Sequence, residues 1–356
     1  MTKEHEIRIA LPGKGVLEAS TLAFLAECGM KVNRSNPRQY LARIGSIPGL
    51  EVVFQRAADI PTLVQDGDIT LGITGYDILA EQRGYSDVGI ESDDDDNIIV
   101  LERDLGYGGC RLVVAVPETW IDVSTCADLW HLAGYYATQK GRGLRIATKY
   151  PNLTGQFLRR HGIAHCKIVS PHGALEAAPL TGTADLIVDL TETGTTLREN
   201  HLKLVDDGIV LRSQACLIAN ARLLSQNKQA LRLASMMLEL IDARMQARNR
   251  SLLTAHLQIE KAEDIEHISQ QLKSRIPGFE FRAASSARNG FAGRDALALS
   301  ISGVINIGNT SAELLEAVAV LRGMGAEQID VTPLTYRFER EAVRVRSLHE
   351  RLKRLR

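Results

Sequence analysis

Asp189-Leu190-Thr191-Glu192-Thr193-Gly194-Thr195-Thr196-Leu197 decides the reading of this chain. The apolar run Ala184-Asp185-Leu186-Ile187-Val188 precedes it and reads as a strand. Leu197-Arg198-Glu199-Asn200 follows it and reads as the start of a helix. A strand that feeds a Thr/Gly loop opening a helix suits an anion, because the first amides of a helix lack partners and its dipole favours negative charge. Gly194 lets the backbone approach a ligand, and Thr193, Thr195 and Thr196 add hydroxyl donors. Asp189, at the end of the strand, suits sugar hydroxyls or a magnesium-bound group. The alternative is an ordinary strand-to-helix turn capped by threonine. Neither Gly-x-x-x-x-Gly-Lys-Ser/Thr nor Gly-x-Gly-x-x-Gly with a distant acid occurs, so the common nucleotide loops are excluded. The Asp…Thr-Gly-Thr-Thr pattern points instead to a sugar phosphate with ribose hydroxyls beside it.

Working outward, strands and helices alternate. Ile7–Leu11 predicts a strand, Pro12–Gly15 a turn and Val16–Gly29 an amphipathic helix. Strands are expected at Leu50–Gln55 and Ile69–Ile73, and short helices at Ile60–Asp66 and Ile78–Gln82, with Thr74–Asp77 a loop before the second. Further strands are expected at Ile98–Leu101, Cys110–Val116, Leu144–Thr148 and Lys167–Val169. Helices are expected near Ser124–Ala133, after Pro151 through His161, and from Ala174, with Gly134–Gly143 an exposed loop. This order predicts a mostly parallel α/β sheet whose ligands bind at the carboxyl ends of the strands, where Pro12–Gly15, Thr74–Asp77 and Glu192–Thr196 all fall.

Beyond strands at Ile209–Leu211 and Ala215–Ala219, a long helix from Ser225 to Arg250 reads as a connector. The pattern then changes. Strands at Leu252–Glu260, Phe279–Ala284, Ala296–Ser302 and Gln328–Thr332, with helices at Ala262–Arg275 and Ser311–Gly323, spell βαββαβ, a ferredoxin-like unit that serves ligand sensing or dimerisation. The basic stretch from Glu339 reads as a solvated helix. The expected division is 1–100 plus 200–222 as a first lobe, 101–199 as a second lobe carrying the phosphate loop, 223–250 as connector, 251–340 as the ferredoxin-like unit and 341–356 as a basic tail.

Net charge is −1, so no overall basic field draws the chain to nucleic acid or a membrane. The five cysteines are scattered without Cys-x-x-Cys, which speaks for reduced thiols and a cytoplasmic setting and against a disulfide framework. The acidic run Glu91–Asn97 is either a solvated loop or a cation site. His161 and His165 stand four apart, but Gly162 intervenes and no third metal ligand is evident in the sequence. His172 lies in a loop, either meeting a ligand or solvated. No motif for an activated nucleophile is present.

Across most of its length the chain resembles the ATP phosphoribosyltransferase family in its long form. Gly173-Ala174-Leu175-Glu176-Ala177-Ala178-Pro179, Asp185, Asp189 and Thr193–Leu197 carry the resemblance. Asn36-Pro37-Arg38, Gln55-Arg56, Asp59-Ile60-Pro61, Asp68–Ile73, Gly75-Tyr76-Asp77, Gly108–Leu112 and Val331–Tyr336 support it. The resemblance implies a two-lobed α/β core like the periplasmic binding proteins, with a C-terminal ferredoxin-like (βαββαβ, ACT-like) regulatory unit. It implies transfer of a phosphoribosyl group from phosphoribosyl pyrophosphate to ATP, with magnesium (Mg2+), inhibition by histidine, and homodimers or homohexamers. On the matching positions, Glu192, Thr193, Gly194, Thr195 and Thr196 are expected to hold the phosphoribosyl phosphate. Asp189 and Glu176 are expected at the ribose or the magnesium shell, and Lys14, Gly15, Arg56, Arg111, Asp77 and Tyr150 at ATP or pyrophosphate. The family's first loop reads Lys-Gly-Arg, whereas this one reads Lys14-Gly15-Val16, leaving Arg43 or Arg56 to compensate. The inhibitor is expected at Gly303–Thr310, a Gly/Asn-rich turn before a helix. Two other readings stay open: a binding paralogue without turnover, and phosphoribosyl transfer to another nucleobase.

Overall fold

The computed structural model describes residues 6–34, 36, 38–84, 97–170, 173–259, 264–275, 280–287, 297–306 and 311–354. Pro37, most of the acidic run, His172 and 307–310 lie outside the described residues. The chain divides into two compact units, one made of Met1–Met236 with Ser347–Arg356 and the other of Met237–Arg346.

The first unit holds two sheets. One is built from β1 (Ile7–Pro12), β2 (Val32–Asn33), β3 (Leu41–Ile44), β4 (Leu50–Gln55), β5 (Leu71–Gly75), β6 (Ile98–Glu102) and β12 (Ala215–Asn220), in the order β2-β3-β4-β1-β5-β12-β6. The other is built from β7 (Cys110–Pro117), β8 (Leu144–Thr148), β9 (Cys166–Val169), β10 (Leu186–Thr191) and β11 (Leu202–Ser213), in the order β11-β7-β10-β8-β9. Parallel pairing is confined to β1 with β4 and β5, and to β8 with β9 and β10, while the other pairs are antiparallel. The sheets are therefore mixed rather than mostly parallel. β3 runs into its neighbour β4 by a short connection, which only antiparallel pairing permits.

The helices of this unit are α1 (Val16–Glu27), α2 (Ile60–Asp66), α3 (Tyr76–Arg83), α4 (Cys126–Gln139), α5 (Pro151–Arg160), α6 (Thr195–Glu199), α7 (Ala221–Gln226) and α8 (Lys228–Ala247), the last crossing into the second unit. Ala10, Val53, Ile60, Val64, Leu79, Cys216 and Ile218 form the core of the first lobe. Leu112, Val114, Leu129, Ala133, Tyr136, Ile146, Leu153, Phe157 and Val188 form that of the second.

Several expectations change. Thr74 and Gly75 belong to β5, and Tyr76 already opens α3, so the strand enters the helix without a loop. The predicted loop at 134–143 is helical to Gln139, because Tyr136 is buried on the same face as Leu129 and Ala133. Only a single 3-10 turn, Leu175–Ala177, stands where a helix was expected from Ala174. The expected connector is two helices broken at Asn227, whose Oδ1 accepts the Gln229 and Ala230 amides at 2.9 and 3.1 Å. The chain returns to the first sheet only at Ala215, not near 200, because β11 pairs along β7.

The second unit contains β13 (Arg250–Ile259), α9 (Asp264–Arg275), β14 (Glu280–Ala287), β15 (Leu297–Asn306), α10 (Ser311–Gly323) and β16 (Ala326–Pro333). The strand order is β14-β15-β13-β16, all antiparallel, which is the ferredoxin-like arrangement. Alternate residues of β13, Leu253, Ala255 and Leu257, pack with Ile268, Ala317 and Leu321 of the helices. A final helix, α11 (Val343–Arg354), is not the solvated tail expected from its charge, since Leu348 and Leu352 are buried and the Arg351 guanidinium donates to the Val100 carbonyl.

Candidate active site

Asp189 lies within β10 opposite Val113 of β7, two residues before the strand ends, so it is a strand residue rather than the first of a loop. Its Oδ1 accepts the Leu190 amide at 2.8 Å. Burial pushes its carboxyl above the ordinary range and neighbouring Glu176 adds to the push, while the Leu190 amide and Lys149 oppose it. Thr191 closes the strand, and its Oγ1 accepts the Gly194 amide at 2.8 Å. Gly194 has φ 79°, a left-handed conformation that a β-branched residue adopts only with strain. Thr193 and Thr195 share a hydroxyl contact at 3.0 Å, and Arg198 donates to Thr195 Oγ1 at 3.2 Å. Glu192, Thr193, Thr195 and Thr196 are exposed. The Thr196 amide, in the first turn of α6, has no acceptor among the described residues, as an anion cradle requires.

Asp77 stands in the first turn of α3, on the first lobe. It is 5% exposed. The Ser213 hydroxyl donates to Asp77 Oδ1 at 2.7 Å, the Asp77 amide donates back to Ser213 Oγ at 2.8 Å, and the Tyr150 hydroxyl donates to Asp77 Oδ2 at 2.8 Å. A β-carbon on Gly75 would stand 2.5 Å from Asp77 Oδ1, so the site depends on glycine there. Burial, Asp77 and Asp189 raise the Tyr150 phenol, which stays protonated and keeps donating. Burial, with Asp77 next, pushes the Cys110 thiol up to about 11, so it is no nucleophile at neutral pH. Asp77, expected to contact nucleotide, has both oxygens engaged by protein hydroxyls.

The basic residues are spread wider. Arg111 is half-buried on β7, in register with Thr191 of β10 and Arg212 of β11. Lys14 and Arg56 are exposed where β1 and β4 end, held together by the Gly13 amide donating to the Gln55 carbonyl at 2.8 Å. Gly15 caps α1. Among the described residues neither Lys14 nor Arg56 makes a hydrogen bond or ion pair with the second-lobe loop. Arg43 lies exposed on β3. Sequence reasoning missed Ser213, which no motif marks because it acts from the crossover between the sheets. It also missed Lys149, whose charge opposes the rise at Asp189, and Arg34, whose guanidinium lies 3.9 Å over the Phe54 ring and 3.1 Å from Glu18 in the first turn of α1.

A family model described as HisG, ATP phosphoribosyltransferase, matches residues 56–243. ATP phosphoribosyltransferase 1, chloroplastic, of Arabidopsis thaliana is 34% identical over 346 residues, covering 97% of this chain and 80% of its own. The chain belongs to the ATP phosphoribosyltransferase family. The ATP phosphoribosyltransferase of Rhodopseudomonas palustris is 34% identical and covers 94% of both chains, and that of Brucella melitensis is 44% identical over 61% of this chain and 90% of its own. Members of the ATP phosphoribosyltransferase family are transferases that use ATP and phosphoribosyl pyrophosphate in the first step of histidine biosynthesis. Among the described residues no helix is long and apolar enough to cross a membrane.

Proposed function

We propose that the β10–α6 loop, together with the Asp77–Ser213–Tyr150 network, is where this chain joins the phosphoribosyl group to adenine N1. The observation that carries the reading is the exposed Glu192–Thr196 loop, with its free Thr196 amide, set beside the acid pair Asp189 and Glu176. In this reading Thr193, Gly194, Thr195 and Thr196 hold the sugar phosphate. Glu192 takes part through its backbone, because its carboxylate would repel the anion. Asp189 and Glu176 orient the ribose hydroxyls. Lys14, Arg56 and Arg111 take the pyrophosphate and ATP phosphates. Tyr150 and Ser213 position Asp77 at the lobe junction. The neutral adenine N1 already carries a lone pair, so no general base is needed at the outset. The N–C bond forms as the C–O bond breaks, and pyrophosphate departs with the electron pair. Rate enhancement then rests on alignment and on fixed dipoles around the developing charge.

Two half-buried carboxylates are hard oxygen donors that suit Mg2+, and a carboxyl raised by burial and a like neighbour gains when a cation lies against it. Asp189 and Glu176 would hold the ion, and the chemistry it supplies is neutralisation of the pyrophosphate charge. Histidine inhibition is assigned to the ferredoxin-like unit, and assembly to homodimers or homohexamers. The family's long form supports both.

The test is an ultraviolet assay for phosphoribosyl-ATP with magnesium and pyrophosphatase, with and without histidine. Product suppressed by histidine is expected. Absence of product from a chain that still binds phosphoribosyl pyrophosphate would favour a binding paralogue. Gly194→Val or Thr196→Ala should weaken phosphoribosyl pyrophosphate binding about tenfold or more in calorimetry, since a hydrogen bond to a charged group is worth ~1.5–3 kcal/mol. Unchanged affinity with an intact circular dichroism spectrum would remove the loop from the site.

A further inference from the structure

We propose that Cys126, His161 and Asp207 form a binding site for a zinc-class divalent cation on the second lobe. The thiol sulfur, one imidazole nitrogen and one carboxylate oxygen all lie within 4.8 Å of one another. They come from three separate elements: the first residue of α4, the residue capping the C-terminus of α5, and the irregular stretch of β11. No sequence motif links them, and His165, the partner suggested by spacing, is not in the group.

The local contacts hold the donors near one another. Asp207 Oδ1 accepts the Cys126 amide at 2.7 Å, which fixes the carboxylate against the helix start. Its second oxygen makes no hydrogen bond among the described residues. The Cys126 thiol donates to the Asp207 carbonyl at 3.7 Å, which keeps the sulfur beside Asp207. The His161 ring lies tilted at 38° against Phe157, with centroids 4.3 Å apart. Cys126 is 3% exposed and forms the floor, while His161 and Asp207 are exposed and form the rim. A cation can therefore enter from solvent and keep a water in a fourth position.

The donor set selects the ion. Sulfur, nitrogen and one carboxylate oxygen suit zinc or cobalt in tetrahedral geometry, whereas magnesium and calcium want oxygen alone. Tetrahedral zinc with these donors holds them roughly 3.3–3.8 Å apart, so binding draws together donors that already lie within 4.8 Å of one another. Binding forms a metal–sulfur bond and releases the thiol proton to solvent. Tyr150, in the candidate active site, precedes the N-terminus of α5, and His161 follows its C-terminus. The ten residues between span about 15 Å. The ion would thus staple α4, α5 and β11 rather than touch substrate.

The full chain, stripped by chelator dialysis, is titrated with Co2+ and then Zn2+. One equivalent of cobalt with a sulfur-to-cobalt charge-transfer band, displaced by zinc, is expected. Cys126→Ser should abolish the band, and His161→Ala should weaken cobalt binding at least tenfold. His161 is exposed, so that variant keeps the test valid if the buried serine disturbs folding, as circular dichroism would show. No band in the native chain, or a band unchanged in the folded variants, would overturn the site. Magnesium at the catalytic acids gives no sulfur band, so the result is independent of the proposed function.

Discussion

Val16 is 84% exposed at the start of α1, directly after Lys14 and Gly15. An apolar branch left in water at a loop assigned to phosphate is a lost contact, and restoring it is the most direct gain-of-function change. Val16→Arg should lower the KM for ATP several-fold, up to about tenfold, since a guanidinium–phosphate bond contributes ~1.5–3 kcal/mol before screening. An unchanged KM would place the nucleotide elsewhere. Asp185 teaches the opposite lesson. It belongs to the family signature, yet it faces structure, accepting from Arg142 at 2.6 and 2.8 Å and from the Arg145 amide at 2.8 Å. Desolvation alone would raise its carboxyl, but the two guanidiniums hold it well below the ordinary carboxylate range. Its stabilisation is therefore complete above the ordinary carboxylate pKa and is lost as pH falls through the depressed one. Asp185→Ala should cost about 2–3 kcal/mol at neutral pH, below the usual figure for a broken buried pair because Arg142 and Arg145 stay 40% and 30% exposed. Urea melts from neutral to acid pH should show the gap between the two proteins closing. A constant gap would refute the linkage.

Among the elements, α5 lacks a cap of its own, since Tyr150 at its N-terminus offers no side-chain acceptor. Glu81 of α3, in the first lobe, supplies it: its carboxylate accepts the Asn152 and Leu153 amides at 2.8 and 2.9 Å, and its carbonyl accepts Asn152 Nδ2 at 3.0 Å. Glu81→Ala should cost about 1–2 kcal/mol, as for a lost N-cap, and should speed hydrogen exchange at the Asn152 and Leu153 amides. Native exchange rates there would show that the contact does not hold the lobes. Periodicity made α1, β1, β4 and α10 legible within a few residues. It failed for α4, where Gly134 and the polar residues after Ala133 masked a helix set by burial of Tyr136. It failed for β11, whose twelve residues are ordered by pairing with β7 rather than by any apolar alternation. The strand-to-helix turn proposed to hold phosphate was readable as a turn because its residues are consecutive. The Asp77 network was not, because Ser213 lies 136 positions from its partner.

For the whole molecule, the basic composition of α11 concealed its two buried leucines. Residues from Ser347 onward group with the first unit, so the ferredoxin-like unit is bracketed by it on both sides. Truncation after residue 342 should destabilise the catalytic unit by about 3–6 kcal/mol, from roughly 1.5–3 kcal/mol for each leucine. Its denaturation midpoint against the full chain measures this, and an unchanged midpoint would make α11 dispensable. The bracketing also orders events during synthesis. A ribosome that has passed the phosphate loop, the Asp77 network and every strand of both catalytic sheets still lacks the closing segment, and more than a hundred residues must emerge before it is made. The first unit thus lacks its last segment while the intervening unit is translated. This interval is when aggregation competes with folding and when chaperone demand should peak.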